Sequence, residues 1–358
     1  MAERESATTK KIGLRDDWLN QVQEDIIDPD LPIVDAHHHL WDYPHHSYML
    51  EQLLGDTGSG HNVVATVFIE CEAMYRADGP VAMRPVGETE FVNGIAAQSA
   101  SGQYGATRVA AGIVAHADLM LGDAVAEVLQ AHCAVAPQRM RGIRHASGWD
   151  PHEDVANSHS NPPQGMLSHE QFRRGFAQLA RHNLSFDAWL FHHQIPELTD
   201  LARAFPDTTI VLDHFGGPLG KGPYQGKREE IFKQWQKDIA ELASCPNVVA
   251  KLGGLAMAVN GYDWHKRDAP PSSQELADTY SAWYLHAIES FGPDRCLFES
   301  NFPVDRISCS YPVLWNAFKR MTEHFSKDER AAMFHGTAAR VYRLDLPVLN
   351  AAKVGQAA

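Results

Sequence analysis

Ile33-Val34-Asp35-Ala36-His37-His38-His39 is an apolar, β-branched run that stops in three imidazoles, and the fold is read outward from it. A run this short, bounded by polar residues, suits a buried strand better than a helix. The strand spans 32–37, and seven similar runs follow at 63–70, 108–114, 140–145, 184–190, 208–213, 247–253 and 295–300. Between them lie segments of helical spacing, among them Glu170 to His182, Pro196 to Phe205, Lys227 to Ser244 and Ser273 to Phe291. Alternation of this kind implies parallel βαβ crossovers, and eight units predict a closed (β/α)8 TIM barrel. An open, doubly wound sheet is the structural competitor.

The 358 residues accommodate such a barrel with insertions. Residues 1–30 are polar, with Pro29 and Pro32 blocking helix continuation at their end, and are read as an N-terminal extension. Residues 31–346 form the barrel and 347–358 a C-terminal tail. Long connections rich in Gly, Pro, His and Asn follow strands 2, 4 and 7, at Met74 to Asn93, Gly148 to Ser168 and Leu255 to Ser272. Loops leaving strand C-termini carry the chemistry of a parallel barrel, so these three are expected to wall or cover the site.

A formal charge of −14, with no basic run beyond Lys10 and Lys11, excludes nucleic acid as the main partner. Five cysteines, an odd number without CxxC spacing, suggest neither a disulfide framework nor a thiolate zinc site. No stretch is apolar enough to span a membrane, and a cytoplasmic protein is expected. The expected partner is a small molecule; a homo-oligomer is compatible with the sequence. The 20 histidines are conspicuous, and many are clustered: 37–39, 45–46 and 192–193.

His37 and His39, two residues apart at a strand end, should converge while His38 points away, which begins a divalent metal site with Asp35 as a supporting partner on the same face. Thr209-Ile210-Val211-Leu212-Asp213-His214-Phe215-Gly216-Gly217-Pro218 is a second anchor and places His214 at the same mouth. Arg295-Cys296-Leu297-Phe298-Glu299-Ser300-Asn301-Phe302-Pro303 is the third. Glu299 inside an apolar run must be paired or functional, because an unpaired buried charge is costly. Tyr75, Trp149, His145 and Trp189 are candidates to line a pocket, Trp189 on the same face as Asp187. His45, His46, His192 and His193 are read as lying behind the site or on the surface.

DAHHHLWD, FDAWLFHHQIPEL, VLDHFGGP, NVVAKLGGL and FESNFPVD, in this order, resemble the amidohydrolase superfamily and, within it, the lactonases of sugar or dicarboxylate lactones. The resemblance runs from about residue 32 to residue 344. It implies a (β/α)8 barrel, hydrolysis of a cyclic ester, and a site made of His37, His39 and His214 with an acid closing the last strand. It also implies Arg144 of RGIRH and Lys251 of VVAKLGG as contacts to a substrate carbonyl or carboxylate, and hence a substrate that is anionic or sugar-derived. One divalent metal, zinc by preference, on His37, His39 and His214 fits this pattern, as does catalysis without metal.

The departure is at the last strand. Family members carry Ser-Asp-Trp-Pro where this chain has Ser300-Asn301-Phe302-Pro303, and an amide is neither a base nor an anionic ligand. Glu299 shares the inward side with Asn301 but should sit roughly 6.6 Å deeper, at about 3.3 Å of rise per residue. The catalytic set is therefore read as His214, Glu299 and Asn301, with Glu299 preferred to Asp305 as the working carboxylate. Substrate binding is assigned to Arg144, Lys251, His145, Tyr75 and Trp149. Two other readings remain open: a metal-dependent decarboxylase of an unsaturated or aromatic acid, and an inactive binding relative that lost its base at Asn301.

Overall fold

The computed structural model describes residues 15–44, 46–347 and 349. Eight strands form one sheet in sequence order: β1 (Ile33–His38), β2 (Val63–Ile69), β3 (Arg108–Ala115), β4 (Met140–Arg144), β5 (Ser185–Ala188), β6 (Ile210–Leu212), β7 (Val248–Leu252) and β8 (Cys296–Phe298). Every neighbouring pair is parallel. The ring closes just beyond β8, where the Asn301 amide donates to the His37 carbonyl at 2.9 Å and the His39 amide to the Phe302 carbonyl at 2.8 Å. The expected TIM barrel is the observed architecture.

One helix follows each strand: α1 (Leu50–Thr57), α2 (Val86–Ala100), α3 (Val125–Val135), α4 (Glu170–Arg181), α5 (Ile195–Ala204), α6 (Arg228–Ala243), α7 (Ser273–Phe291) and α8 (Tyr311–Met321). With helices outside and side chains filling the interior, a strand such as Val63–Ile69 is buried at all positions, which is why it reads as a continuous apolar run. Helix α4 buries Phe172, Gly175, Phe176 and Leu179, a stripe at helical spacing, and its start is capped by the His169 side chain accepting from the Gln171 amide. Ser272 and Glu275 form a capping box at the start of α7.

The long connections after β4 and β7 are 145–169 and 253–272. The connection after β2 is shorter than expected: helix α2 begins at Val86, so the loop is 70–85. The segment after β1 holds a small antiparallel hairpin, Trp41–Tyr43 with His46–Tyr48. At the opposite end of the barrel, Val211, Val249 and Leu297 pack against Ala338, Val341, Tyr342, Leu346 and Leu349. Leu349 belongs to the segment read as a tail; residues 348 and 350–358 lie outside the described residues, as do 1–14 of the N-terminal segment. Its described part is held by α7 and α8: Glu24 accepts from the Ser273 amide at 2.7 Å, and Lys319 donates to the Ile27 and Asp28 carbonyls, both at 2.8 Å. Among the described residues no helix is long and apolar enough to cross a membrane.

The backbone of α4 approaches the turn before α3 so closely that a Cβ at Gly175 would fall on the Leu119 carbonyl. Helix propensity alone favours Gly→Ala by about 1 kcal/mol. Overpacking against backbone reverses that sign, and Gly175→Ala is expected to destabilise the fold by about 1–3 kcal/mol in urea unfolding. An unchanged or raised midpoint would contradict this packing.

Candidate active site

The C-terminal ends of the strands bring a dense set of ionisable side chains into a closed space. His37 and His39 come from the end of β1, Glu70 follows β2, Arg144 ends β4, and Asp187 lies in β5. Asp213 and His214 follow β6, Lys251 lies in β7, and Glu299 follows β8. All of these are buried, none more than 4% exposed. The chain after β6 turns through left-handed conformations at His214 (φ 51°) and Phe215 (φ 58°). Gly254 (φ 79°) faces that turn, and a Cβ there would collide with the His214 ring, so VLDHFGG and KLGG are fitted to each other.

Glu299 is the hub. Its Oε1 lies 2.6 Å from His214 Nδ1, and its Oε2 lies 3.0 Å from His37 Nδ1. Lys251 Nζ donates to Asp187 Oδ2 at 2.7 Å and lies 3.0 Å from Asp213 Oδ1 and 3.1 Å from His37 Nδ1. Arg144 Nε donates to Glu70 Oε1 at 2.7 Å, Nη2 donates to the Glu70 carbonyl, and Nη1 lies 3.6 Å from Asp213 Oδ2 and 3.4 Å from His37 Nε2. His39 Nδ1 pairs with the Ile69 carbonyl at 2.8 Å, leaving its Nε2 3.2 Å from that of His37.

Burial, reinforced by Lys251, drives the His37 pKa well below its ordinary value; burial, reinforced by Arg144, does the same for His39. Both rings are neutral, the form that binds a metal. Burial pushes Asp187 up to about 6 against the pull of Lys251. Burial opposes the charge on Lys251, but Asp187, Asp213 and Glu299 outweigh it and raise its pKa. Four carboxylates, those of Glu70, Asp187, Asp213 and Glu299, thus face two permanent cations, Arg144 and Lys251. Negative charge is in excess in a dry space, where an uncompensated ion is costly. Both oxygens of Asp213 and Oε2 of Glu299 are buried without a directed hydrogen bond. His37, His214 and Glu299 offer ligand atoms that all lie within 4.8 Å of one another. Excess negative charge, carboxylate oxygens held by ion pairs rather than directed hydrogen bonds, and this donor set fit a divalent cation.

Several residues assigned from the sequence stand elsewhere. Strand β8 ends at Phe298, and Asn301 has φ 55°, so the period-two rule does not reach it. The Asn301 amide donates to Asp305 Oδ1 at 3.0 Å, away from the histidines, and Asp305 accepts from the Ala256 amide. A register shift in β1 turns Asp35 from the expected face toward the Ser300 amide (2.8 Å) and the Tyr311 hydroxyl (3.0 Å). His38 points away, as expected, to Thr66 Oγ1 at 2.8 Å. His145 packs on His116 and Phe172 and accepts from the Leu119 amide. Trp149 is held by backbone bonds to Gln194 and His193. Tyr75 stacks on His116, with a buried hydroxyl that has no hydrogen bond. Trp189 lies edge-on to His214, ring centroids 5.1 Å apart. His46 meets Trp41 edge-on, His192 and His193 pack around Tyr224, and His45 lies outside the described residues.

Sequence reasoning did not single out Glu70, Asp213 or His159. The signal for Glu70 was present: it ends the apolar run VVATVFIE just as Glu299 ends CLFE. His159, in the loop after β4, has no periodicity to mark it, yet its Nε2 lies 3.1 Å from Glu70 Oε2.

Comparison with known proteins agrees with this architecture. A family model described as Amidohydrolase matches residues 34–344. The chain is 34% identical over 337 residues to the uncharacterized protein y4mH of Sinorhizobium fredii, covering 88% of this chain and 99% of that one. It is 27% identical to an L-fucono-1,5-lactonase of Burkholderia multivorans, covering 88% of this chain and 97% of the relative. A crystal structure of a Burkholderia multivorans amidohydrolase with bound zinc superposes with a TM-score of 0.66 at 25% identity, covering 87% and 99% of the two chains. The chain belongs to the amidohydrolase family.

Proposed function

We propose that the protein hydrolyses the lactone of a sugar acid, with Glu299, His214 and His37 at the reacting centre. The observation that carries this reading is the Glu299 hub, a buried carboxylate shared by two imidazoles at 2.6 and 3.0 Å. The likeness to an L-fucono-1,5-lactonase over nearly the whole chain supports the substrate class. The Glu299 carboxylate accepts a hydrogen bond from His214 Nδ1, which directs the His214 Nε2 lone pair, without a protein partner among the described residues, toward a water molecule. His214 then takes the proton of the attacking water as a general base, held in position by Glu299. Trp189 stands edge-on beside the ring.

His37 and Glu299, two of the three members of the His37, His214 and Glu299 group, would hold the metal and leave His214 Nε2 to the water, and imidazole with carboxylate donors fits zinc. When bound, such an ion supplies Lewis-acid polarisation of the lactone carbonyl and eases ionisation of water. Arg144 and Lys251 are committed to Glu70, Asp187 and Asp213, so they set the electrostatics of the centre and neither is free to clamp a substrate carboxylate. An uncharged polyhydroxylated ring is the substrate this arrangement accepts. All five cysteines are free, in keeping with work in the reducing cytoplasm. The decarboxylase reading calls for an acid on the last strand where Asn301 stands, and no feature of the site favours it.

Three outcomes are expected. In a pH-indicator assay, aldonolactones are opened and lactones bearing two carboxylates are disfavoured by about 100-fold, since like charges brought together cost several kcal/mol. Dicarboxylates turned over equally well would remove the electrostatic argument. Chelation abolishes turnover and zinc restores it, with about one equivalent of zinc found by elemental analysis; a metal-free protein with full activity would refute the metal assignment. Glu299→Gln keeps the acceptor for His214 but loses the charge, and kcat falls about 100-fold or more with an unchanged circular dichroism spectrum. Undiminished activity in that variant would displace Glu299 from the reacting centre.

A further inference from the structure

The loop 145–169 after β4 carries one residue to the charged cluster. Its 157–161 segment folds back on the residues leaving the strand: the Ser158 amide donates to the Gly148 carbonyl at 2.8 Å, the Asp150 amide to Asn157 Oδ1 at 2.7 Å, and the Ser160 hydroxyl to the Ala146 carbonyl. Gly148 is fitted to this fold, since a Cβ there would stand 2.7 Å from Ser158 Oγ. The result is a fixed perch for His159. Its Nε2 meets Glu70 Oε2 at 3.1 Å, Glu70 Oε1 holds Arg144, and Arg144 Nη1 lies 3.4 Å from His37 Nε2. His159 is the member of this chain that reaches solvent, with its side chain 25% exposed where that of Glu70 is 0%. Its Nδ1 meets no protein partner among the described residues.

Opening a sugar lactone requires a proton at the departing ring oxygen, because an alkoxide is a poor leaving group at neutral pH. His214 carries one only after taking it from the attacking water, and the other buried residues near the centre are engaged elsewhere. Lys251 is enclosed by Asp187 and Asp213, an arginine stays protonated, and Asn301 has no acid to give. His37 and His39 are held neutral by burial, and Asp305 is tied to Asn301 and the Ala256 amide. Resting on the lactonase reading, we propose that His159 is the general acid of the reaction, giving its Nδ1 proton to the ring oxygen while Glu70 orients the imidazole through Nε2.

The balance is that of simple hydrolysis. The oxygen of water bonds to the acyl carbon and its proton passes to His214; the bond from the acyl carbon to the ring oxygen breaks with its electron pair on that oxygen, which takes the His159 proton. His214 then loses a proton to solvent and His159 regains one through its exposed edge. The groups facing His159 are Glu70 and Glu72 after β2, His116 after β3, and Arg144 and His145 at the end of β4. Burial works against its charge, but the Glu70 carboxylate outweighs burial and raises the His159 pKa, whereas His116 and His145 are lowered by burial. An acid with a raised pKa is competent below that value, so its activity declines as pH rises through it.

The test compares two lactones that differ in leaving group, an aldonolactone that releases an alkoxide and dihydrocoumarin, which releases a phenolate and needs little protonation. His159→Gln, whose amide can still donate to Glu70, is expected to lose about 100-fold in kcat/KM on the aldonolactone and less than about threefold on dihydrocoumarin. The alkaline limb of the aldonolactone pH profile should vanish with it. The ratio is read within one variant, so a change in the folded fraction cancels. Equal losses on both lactones, or a retained alkaline limb, would overturn the role of His159 and leave the lactonase reading intact. If the wild type opens only the aldonolactone, the alkaline limb alone decides, its loss supporting the role and its persistence overturning it. A wild type that opens neither overturns the lactonase reading and this role with it.

Discussion

The fully enclosed Lys251 ammonium is the constraint around which the barrel mouth is organised. A cation with no exposure is tolerated only if anions surround it, and Asp187 and Asp213 do so from the two preceding strands. Asp187 in turn accepts the Tyr342 hydroxyl at 2.7 Å, which ties the charge network to the side chains that close the floor of the barrel. Asp213 is shared with Arg144, and Arg144 with Glu70, so one connected set of charges runs through β2, β4, β5, β6 and β7. Removing any one member leaves its neighbours uncompensated, so these positions should respond to substitution as a unit rather than additively.

That network also explains what the sequence could and could not reveal. The eight strands were legible because strands buried on both faces read as unbroken apolar runs, as in VVATVFI and TIVL. The histidines were legible because each ends such a run. The pairing of charges was not, since it depends on which strand ends face one another across the barrel. Arg144 and Lys251, assigned from resemblance to the substrate, have their charges engaged by Glu70, Asp187 and Asp213, residues up to 74 positions away in sequence.

Local backbone geometry accounts for the other differences. The alternation rule holds only while the chain remains a regular strand. In β1 a register shift between Asp35 and His38 rotates Asp35 to Ser300 and Tyr311. After β8 the positive φ of Asn301 sends its amide to Asp305, so the family's last-strand acid has no replacement at that spot, and Glu299 approaches the histidines from the residue just past the strand. His159 was invisible for a third reason: loop residues carry no period, and its position follows from the way 157–161 folds back on 146–150.

The Glu299 hub places two demands on one carboxylate. As the partner of His214 it accepts a hydrogen bond from Nδ1; were a metal bound it would also direct an oxygen at the ion, and an imidazole nitrogen holding that ion would be unprotonated. Its two oxygens divide the work, Oε1 toward His214 and Oε2 toward His37, with Lys251 4.0 Å from Oε2. A cation held there would compete with a proton on the ring and with the field of Lys251. Asp187 and Asp213 lessen the second effect by neutralising the ammonium at close range. The surplus of four carboxylates over the two fixed cations, Arg144 and Lys251, is what a divalent ion in this small, dry space would offset. On the proposed role of His159, the proton for the leaving group sits at the rim, where that ring can exchange with water, rather than beside His37 and His39, which burial holds neutral.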